Sequence, residues 1–260
     1  MVAESALTDA ASVVAQTSRS LPWMAEMMAI DPGHGYRLLD SETMDSGLLD
    51  AALERAARRW PDVSAATCAT LWWYGSSSTV AIVTAAQLLV TGRCVDPRSP
   101  RTLVTVGDTG TIGAVTSSTV VDAADAPDAL ADLVDTVVRA LCRRVPELNA
   151  GSLWAVASDS IANRTLDVAT AVDRIADAAT MSASLTSRAR TRRFPTPRFV
   201  DVGTEGAVAA ASDDAPVRHT RRFLRRSSCC LVFEAGEDMC VSCPRRTPAD
   251  RARRWSTLVG

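Results

Sequence analysis

Apolar residues recur at helical spacing through residues 3–18 and again through 48–60. In the second stretch, LLDAALERAARRW, leucine and alanine share one face and arginine the other, so both stretches predict amphipathic helices. Around Pro32-Gly33-His34-Gly35 the chain must turn. No residue between Asp62 and Arg93 is charged, but Tyr74-Gly-Ser-Ser-Ser-Thr79 divides this run into two apolar pieces, 63–74 and 79–91. Each piece is too short to span a bilayer, so the pattern predicts a pair of short buried helices. In RTLVTVGDTGTIGAVTSSTVV the period changes. β-Branched residues flank a glycine-rich centre, which predicts two strands and a turn. DAPDALADLVDTVVRALCRRVP reads as a helix, with acids early, arginines late and Pro146 beyond the end. A further helical stretch runs from Gly151 to Met181, with a bend expected near Asn163. RARTRRFPTPRF reads as a basic loop and FVDVGTEGAVAAAS as a second hairpin.

These elements predict an α+β fold, predominantly helical, with a small antiparallel β-sheet and a C-terminal cysteine-rich module. The polar Ser212-Asp213-Asp214 suggests a division into a mainly helical body, residues 1–215, and a module, residues 216–260. A chain of 260 residues with a 47 % hydrophobic fraction can fill such a core and is not disordered.

Charge changes the picture at one end only. The chain carries a net −2, which gives it no global attraction to nucleic acid. From Pro216 to Gly260 there are ten arginines and four acids, or +6, so the remainder carries −8. All 28 basic residues are arginine, and the absence of lysine rules out Walker, Schiff-base and general-base lysines. The N-terminal MVAESALTDAASVVAQTSRS lacks a basic n-region and a long apolar core, so no secretory signal is expected. The thiols are then expected in a reducing compartment, where a disulfide scaffold does not form.

Several familiar chemistries fail on inspection. Gly107-Asp-Thr-Gly110-Thr-Ile-Gly113 has the wrong spacing for a dinucleotide fingerprint and is followed by strand-like residues. Its Asp-Thr-Gly triplet has no second copy for an aspartic-protease pair, so a hairpin turn is expected. The two histidines, His34 and His219, lie in no nucleophile context. Trp72-Trp73 reads as core packing, and Cys68, Cys94 and Cys142 as small hydrophobes.

The remaining chemistry lies in RRSSCCLVFEAGEDMCVSCPRR, residues 225–246, a C-C-x9-C-x2-C array between two arginine pairs. Four thiolates at this density suit a soft or borderline cation. Structural zinc usually takes two C-x2-C knuckles, and this array has one, Cys240-Val-Ser-Cys243. The other pair, Cys229-Cys230, is contiguous, and successive side chains on an extended strand point apart. Such a pair chelates one small ion poorly but suits a cluster with separate metal atoms, provided the backbone turns. Proline after the last cysteine also occurs in iron–sulfur runs. The spacing favours a 2Fe–2S cluster over zinc and leaves both open.

With Arg225-Arg226-Ser-Ser-Cys229-Cys230-Leu-Val-Phe preceding a C-x2-C, the array resembles that of the FhuF-type ferric-siderophore reductases. The specific match covers residues 218–246, and the family pattern has one residue more between the cysteine pairs, a difference assigned to the turn at 234–238. The resemblance implies a 2Fe–2S cofactor held by Cys229, Cys230, Cys240 and Cys243, and a cytoplasmic enzyme that reduces ferric siderophores by one electron. Residues 1–215 would then bind the chelate, at a pocket where the helical body meets the cysteine module. Arg218, Arg222, Arg225 and Arg226 are the expected docking residues for the substrate or the electron donor. Without a flavin or nicotinamide motif, electrons are expected from a ferredoxin, a flavoprotein or a reduced cofactor. No nucleic-acid partner and no transmembrane segment are expected, although the inner membrane face is a conceivable peripheral location. Two competing functions stand beside this one. One is a zinc-stabilised module that binds nucleic acid or a protein partner through the +6 end, and the other is a 2Fe–2S electron carrier or redox sensor.

Overall fold

The computed structural model describes residues 2–28, 35, 37–39, 44–98, 100–187, 193–212 and 214–259. The chain runs α1 (Val2–Ser20), α2 (Ala25–Met28), β1 (Arg37–Leu38), α3 (Leu49–Arg59) and α4 (Ala65–Thr91). After β2 (Arg93–Val95), β3 (Leu103–Val106), β4 (Ile112–Thr116) and β5 (Val120–Asp122) come α5 (Ala126–Arg144), α6 (Ala150–Ala171) and α7 (Asp177–Ser187). The last elements are β6 (Phe199–Gly203), β7 (Val208–Ala210), β8 (Thr220–Leu224) and α8 (Pro248–Ser256). The fold is α+β and mostly helical, with small antiparallel sheets.

Helix α4 is the axis of the body, about 40 Å long at the usual rise per residue. It begins at Ser64, whose side chain caps Thr67 N–H, and ends at Gly92 in the left-handed conformation. The sequence predicts two short helices here, but the structure holds one. The run 74–79 is polar yet helical because its groups are satisfied by neighbours. Ser76 Oγ accepts from Ile112 N–H, Ser77 meets Ser160 at 2.8 Å, and Thr79 donates to the Ile112 carbonyl at 2.8 Å. Gly75 lets the hairpin approach: a Cβ there would lie 3.0 Å from Thr111 Cγ2. Trp72 and Trp73 are buried as expected, and each indole donates to a backbone carbonyl, of Gly110 and Leu153 respectively. Among the described residues, no helix is long and apolar enough to cross a membrane.

Helix α6 packs along α4 and passes straight through Asn163, where the sequence suggests a bend. The break falls later, at Asp173, which has a φ of 55° and stops the helix before α7 begins. Around this helical core, β3 and β4 form the expected hairpin, extended by β1, and β2 pairs with β5. The turn expected at 32–35 falls outside the described residues except for Gly35, whose φ is 63°.

The third sheet, in order β7-β6-β8, joins the helical body to the C-terminal segment. Its alternation is legible in burial. Phe199 and its cross-strand partner Leu224 belong to the main core. Val200, Val202 and Phe223 instead form a small second core with Trp255 of α8, where the Phe223 and Trp255 rings stack at 5.7 Å. Because β8 pairs with β6, this small core draws on residues from both sides of 216.

Candidate metal centre

The cysteine array leaves β8 at Leu224 and crosses onto α6 before any thiol appears. Asp159 of α6 makes that crossing. One of its oxygens accepts from the backbone and hydroxyl of Ser227 at 3.0 Å each, and the other from Ser228 N–H at 2.7 Å and its hydroxyl at 2.6 Å. The carboxylate is also 3.5 Å from Arg226 Nε, and both side chains are almost wholly buried. A buried carboxylate with four donors and a cation is well satisfied, and it holds the chain rigidly just before Cys229.

After Cys230 the backbone turns sharply. Leu231 has a φ of 63°, a single short turn follows over Val232–Ala235, and Gly236 is again left-handed at 85°. The nine residues between the cysteine pairs are accommodated in this turn, which Thr67 of α4 fastens by donating to Glu234 Oε2. Cys240-Val-Ser-Cys243 forms a tight knuckle in which Cys243 N–H bonds the Cys240 carbonyl. Arg246 donates to the carbonyls of Cys240 and Met239 and pairs with Asp250, while Arg251 donates to the carbonyls of Cys243 and Arg246. Trp255 Nε1 donates to Ser242, tying the knuckle to the small core.

The four thiols come together as two pairs. Cys229 Sγ and Cys243 Sγ lie 3.9 Å apart, and Cys230 Sγ and Cys240 Sγ meet at the same Arg226 nitrogen, 3.7 and 3.6 Å from Nη1. Each adjacent cysteine therefore meets a different cysteine of the knuckle. Among the described residues, no three of His, Cys, Asp or Glu converge as they would around one ion. None of the seven cysteines forms a disulfide.

Arg226 lies at one of the two pairs. Its Nη1 is 3.7 Å from Cys230 Sγ and 3.6 Å from Cys240 Sγ, and its guanidinium stacks 4.9 Å from the Tyr74 ring. Contact with Cys240 holds the Cys230 thiol down to about 5 against its own desolvation, helped by Val232 N–H and the Arg226 charge. The same contact pushes Cys240 up, so this pair gives up one proton readily and the second reluctantly. At the other pair, burial raises Cys229 despite a hydrogen bond from Leu231 N–H.

The donor set suits a 2Fe–2S group: four thiols divided two and two, backbone N–H groups aimed at sulfur, and one buried cation beside a pair. It suits a single zinc ion less well, because that ion needs all four sulfurs around one point.

The four arginines expected to dock a ligand separate sharply. Arg222 is fully buried in a two-pronged pair with Asp201, at 2.9 Å on both contacts, and also bonds the Asp214 carbonyl. Its guanidinium is not available to a ligand, whereas Arg226 is buried against Tyr74, Asp159 and the thiols with its Nη2 unpartnered among the described residues. Arg218 and Arg225 are exposed. Asp159 and Tyr74 escaped the sequence reading. A lone carboxylate inside the apolar helix LWAVASDSIA was the available signal, since such a group is buried only with partners.

Two cavities bear on the site. The larger, about 1030 Å³, lies between α7 and the β6–β7 hairpin and is bordered by Arg174, Arg198 and Arg225, but by no array cysteine. The smaller, about 180 Å³, is bordered by Cys240, Arg226 and Tyr74.

No curated protein matches the chain. Residues 226–245, which begin at Arg226 and include all four array cysteines, match the family model described as the FhuF 2Fe-2S C-terminal domain, and this match assigns the C-terminal segment of the chain to the FhuF type.

Proposed function

We propose that the protein is an iron–sulfur ferric-siderophore reductase of the cytoplasm. The observation that carries this reading is the gathering of the four thiols within the matched segment, Cys229 against Cys243 and Cys230 with Cys240 at Arg226. In this reading Cys229 and Cys243 would hold one iron and Cys230 and Cys240 the other. When bound, a 2Fe–2S group takes up and passes on a single electron. That suffices for the substrate: oxygen donors that grip Fe(III) bind Fe(II) far less well, so one electron from an external donor converts the ferric chelate to a labile ferrous one. The donor is a ferredoxin, a flavoprotein or a reduced cofactor.

The protein's own residues hold the site for this task. Asp159 and the two serines fix the approach to Cys229, and Arg246 and Arg251 fix the knuckle. Arg226 places a permanent positive charge against two thiolates, which favours the more negative, reduced state.

For the nucleic-acid reading, four of the ten C-terminal arginines are taken up internally: Arg222, Arg226 and Arg251 are buried, and Arg246 bonds Asp250 and two carbonyls. Arg218, Arg221, Arg225, Arg245, Arg253 and Arg254 remain exposed.

Anaerobically purified protein should contain iron and acid-labile sulfide in equal amounts and should bleach with dithionite. The reduced protein should then convert a ferric siderophore stoichiometrically to Fe(II), captured by a ferrous-specific chelator. Zinc without sulfide would sink the proposal. A reducible cluster that left every ferric chelate untouched would identify an electron carrier or redox sensor instead.

A further inference from the structure

The small hollow beside Cys240 has features that the cluster itself does not use. Arg226 and Arg164 both border it, and each carries a buried nitrogen without a hydrogen-bond partner among the described residues, Nη2 of Arg226 and Nε of Arg164. The Arg226 side chain is 7 % exposed, and a buried N–H with no acceptor destabilises the fold unless something else meets it. Asn163, on the same face of α6 as Asp159 and one turn along, borders the hollow as well, and so does Tyr74 of α4. Two unpartnered donors on residues that line a single hollow, one from a helix and one from the cysteine loop, leave N–H groups that an oxygen acceptor from outside can meet once the side chains turn toward it.

The charge balance narrows the kind of acceptor. Arg164 pairs with Asp167 at 2.9 Å and Arg226 with Asp159 at 3.5 Å, so the hollow offers N–H groups with little net positive charge. A strongly anionic ligand gains little here, whereas the metal-bound oxygens of a weakly charged chelate gain hydrogen bonds. Size narrows it further. A volume of about 180 Å³ is below the range of sites that enclose a whole drug-sized ligand, so only one edge of a chelate can enter.

We infer that this hollow, bordered by Arg164, Asn163, Tyr74 and Arg226, receives the metal-bound oxygens at one edge of a ferric chelate and sets them against Cys240. The inference rests on the reductase reading above. It assigns the electron's exit to the Cys230/Cys240 side of the centre. The ferric ion gains one electron there, the cluster loses one, and no bond to protein forms or breaks. The larger cavity by α7 has the volume for a whole ligand, but no array cysteine borders it.

The test uses the cluster-loaded protein and neutral ferric tris(acetohydroxamate) as the probe, with binding measured calorimetrically to the oxidised form. Arg164→Gln should weaken binding by about tenfold, the loss of one charge-assisted hydrogen bond, while the visible spectrum and midpoint potential stay unchanged. Asn163→Phe, which fills the hollow, should abolish binding with the same spectrum. Arg225→Gln, at the larger cavity, should bind like the parent. Parent-like binding by both Arg164→Gln and Asn163→Phe would overturn the assignment, and so would lost binding in Arg225→Gln alone. The two readings fail separately. If the probe binds through Arg164 but is never reduced, the reductase reading falls and the site stands. If the probe is reduced at the parental rate by Asn163→Phe, the site falls and the reductase reading stands.

Discussion

Asp159 accepts two hydrogen bonds from Ser228, from its backbone N–H at 2.7 Å and from its hydroxyl at 2.6 Å, and so fastens the residue before Cys229 to the middle of α6. Asp159→Ala would leave the Arg226 guanidinium buried without its carboxylate and free four donors at once. Breaking a buried pair by removing one partner typically costs about 3–5 kcal/mol. Urea unfolding of Asp159→Ala should therefore show a loss of that order, with depleted iron and sulfide. Asp159→Asn should be milder, since the amide oxygen still accepts. Equal stability of parent and Asp159→Ala would mean that the loop is held elsewhere.

The site was only half legible in the sequence, and this residue shows why. Cysteine spacing is a local property: residues 229–243 carry their own signal because a chelate must close within a few turns of chain. Asp159 acts across 68 and 69 residues of separation, and its one local signal, a lone carboxylate in an apolar helix, does not say which partners it meets. The arginines err in the opposite direction. Arg222 and Arg226 stand in one basic run with Arg225, but β8 alternates, so Arg222 turns inward to Asp201. Composition reports the charge of such a run and not which members are consumed.

Arg226 should set the reduction potential rather than assemble the centre. Its Nη1 touches both Cys230 and Cys240, so replacing it removes a charge and two N–H···S contacts that favour the reduced state. Arg226→Gln should lower the midpoint potential by on the order of 60 mV, the shift equivalent to a tenfold change for a one-electron couple. Arg226→Lys, which keeps the charge, should recover part of the shift. Redox titration followed by visible absorbance checks both. An unchanged potential in Arg226→Gln with a full cluster would make this arginine a structural partner of Asp159 only.

The pairing of thiols predicts two classes of cysteine variant. Cys229→Ser and Cys243→Ser alter one iron of the pair, and Cys230→Ser and Cys240→Ser alter the other. Mössbauer spectra of oxidised variants that retain a cluster should therefore perturb one iron site in common within each class. Spectra grouped instead as 229 with 230, and 240 with 243, would mean that adjacent cysteines share an iron.

Gly75 tests the element that the sequence misread. Ser, Thr and Gly in a row ordinarily mark a break, because their side chains compete for backbone groups and glycine is costly within a helix. In α4 those side chains face the β3–β4 hairpin and α6, which satisfy them, while Gly75 admits Thr111. Tertiary partners thus convert a local breaker into a polar seam, and no periodicity in the chain encodes those partners. Gly75→Val should force Thr111 away and cost about 1–3 kcal/mol in chemical unfolding. Iron and sulfide content should be retained.

Asp96 gives the fold a defined weakness in acid. It lies buried just beyond β2, where desolvation alone would raise its pKa. The hydrogen bonds from Arg98 and Arg101 and the charge of Arg98 outweigh that, and the net shift is downward. A carboxylate whose pKa is lower in the folded state adds stability that is fully present above its unfolded value, about 3.9, and is lost as pH falls through the folded value. Asp96→Asn should therefore be less stable than the parent at pH 7, with the gap narrowing once the pH drops below about 4. Urea midpoints taken from pH 7 to pH 3 would follow this, with neighbouring thiol chemistry excluded by working in reductant. A gap that stayed constant to the lowest pH would assign the loss in Asp96→Asn to packing, since a neutral partner lost from the loop has no reason to follow a carboxylate titration.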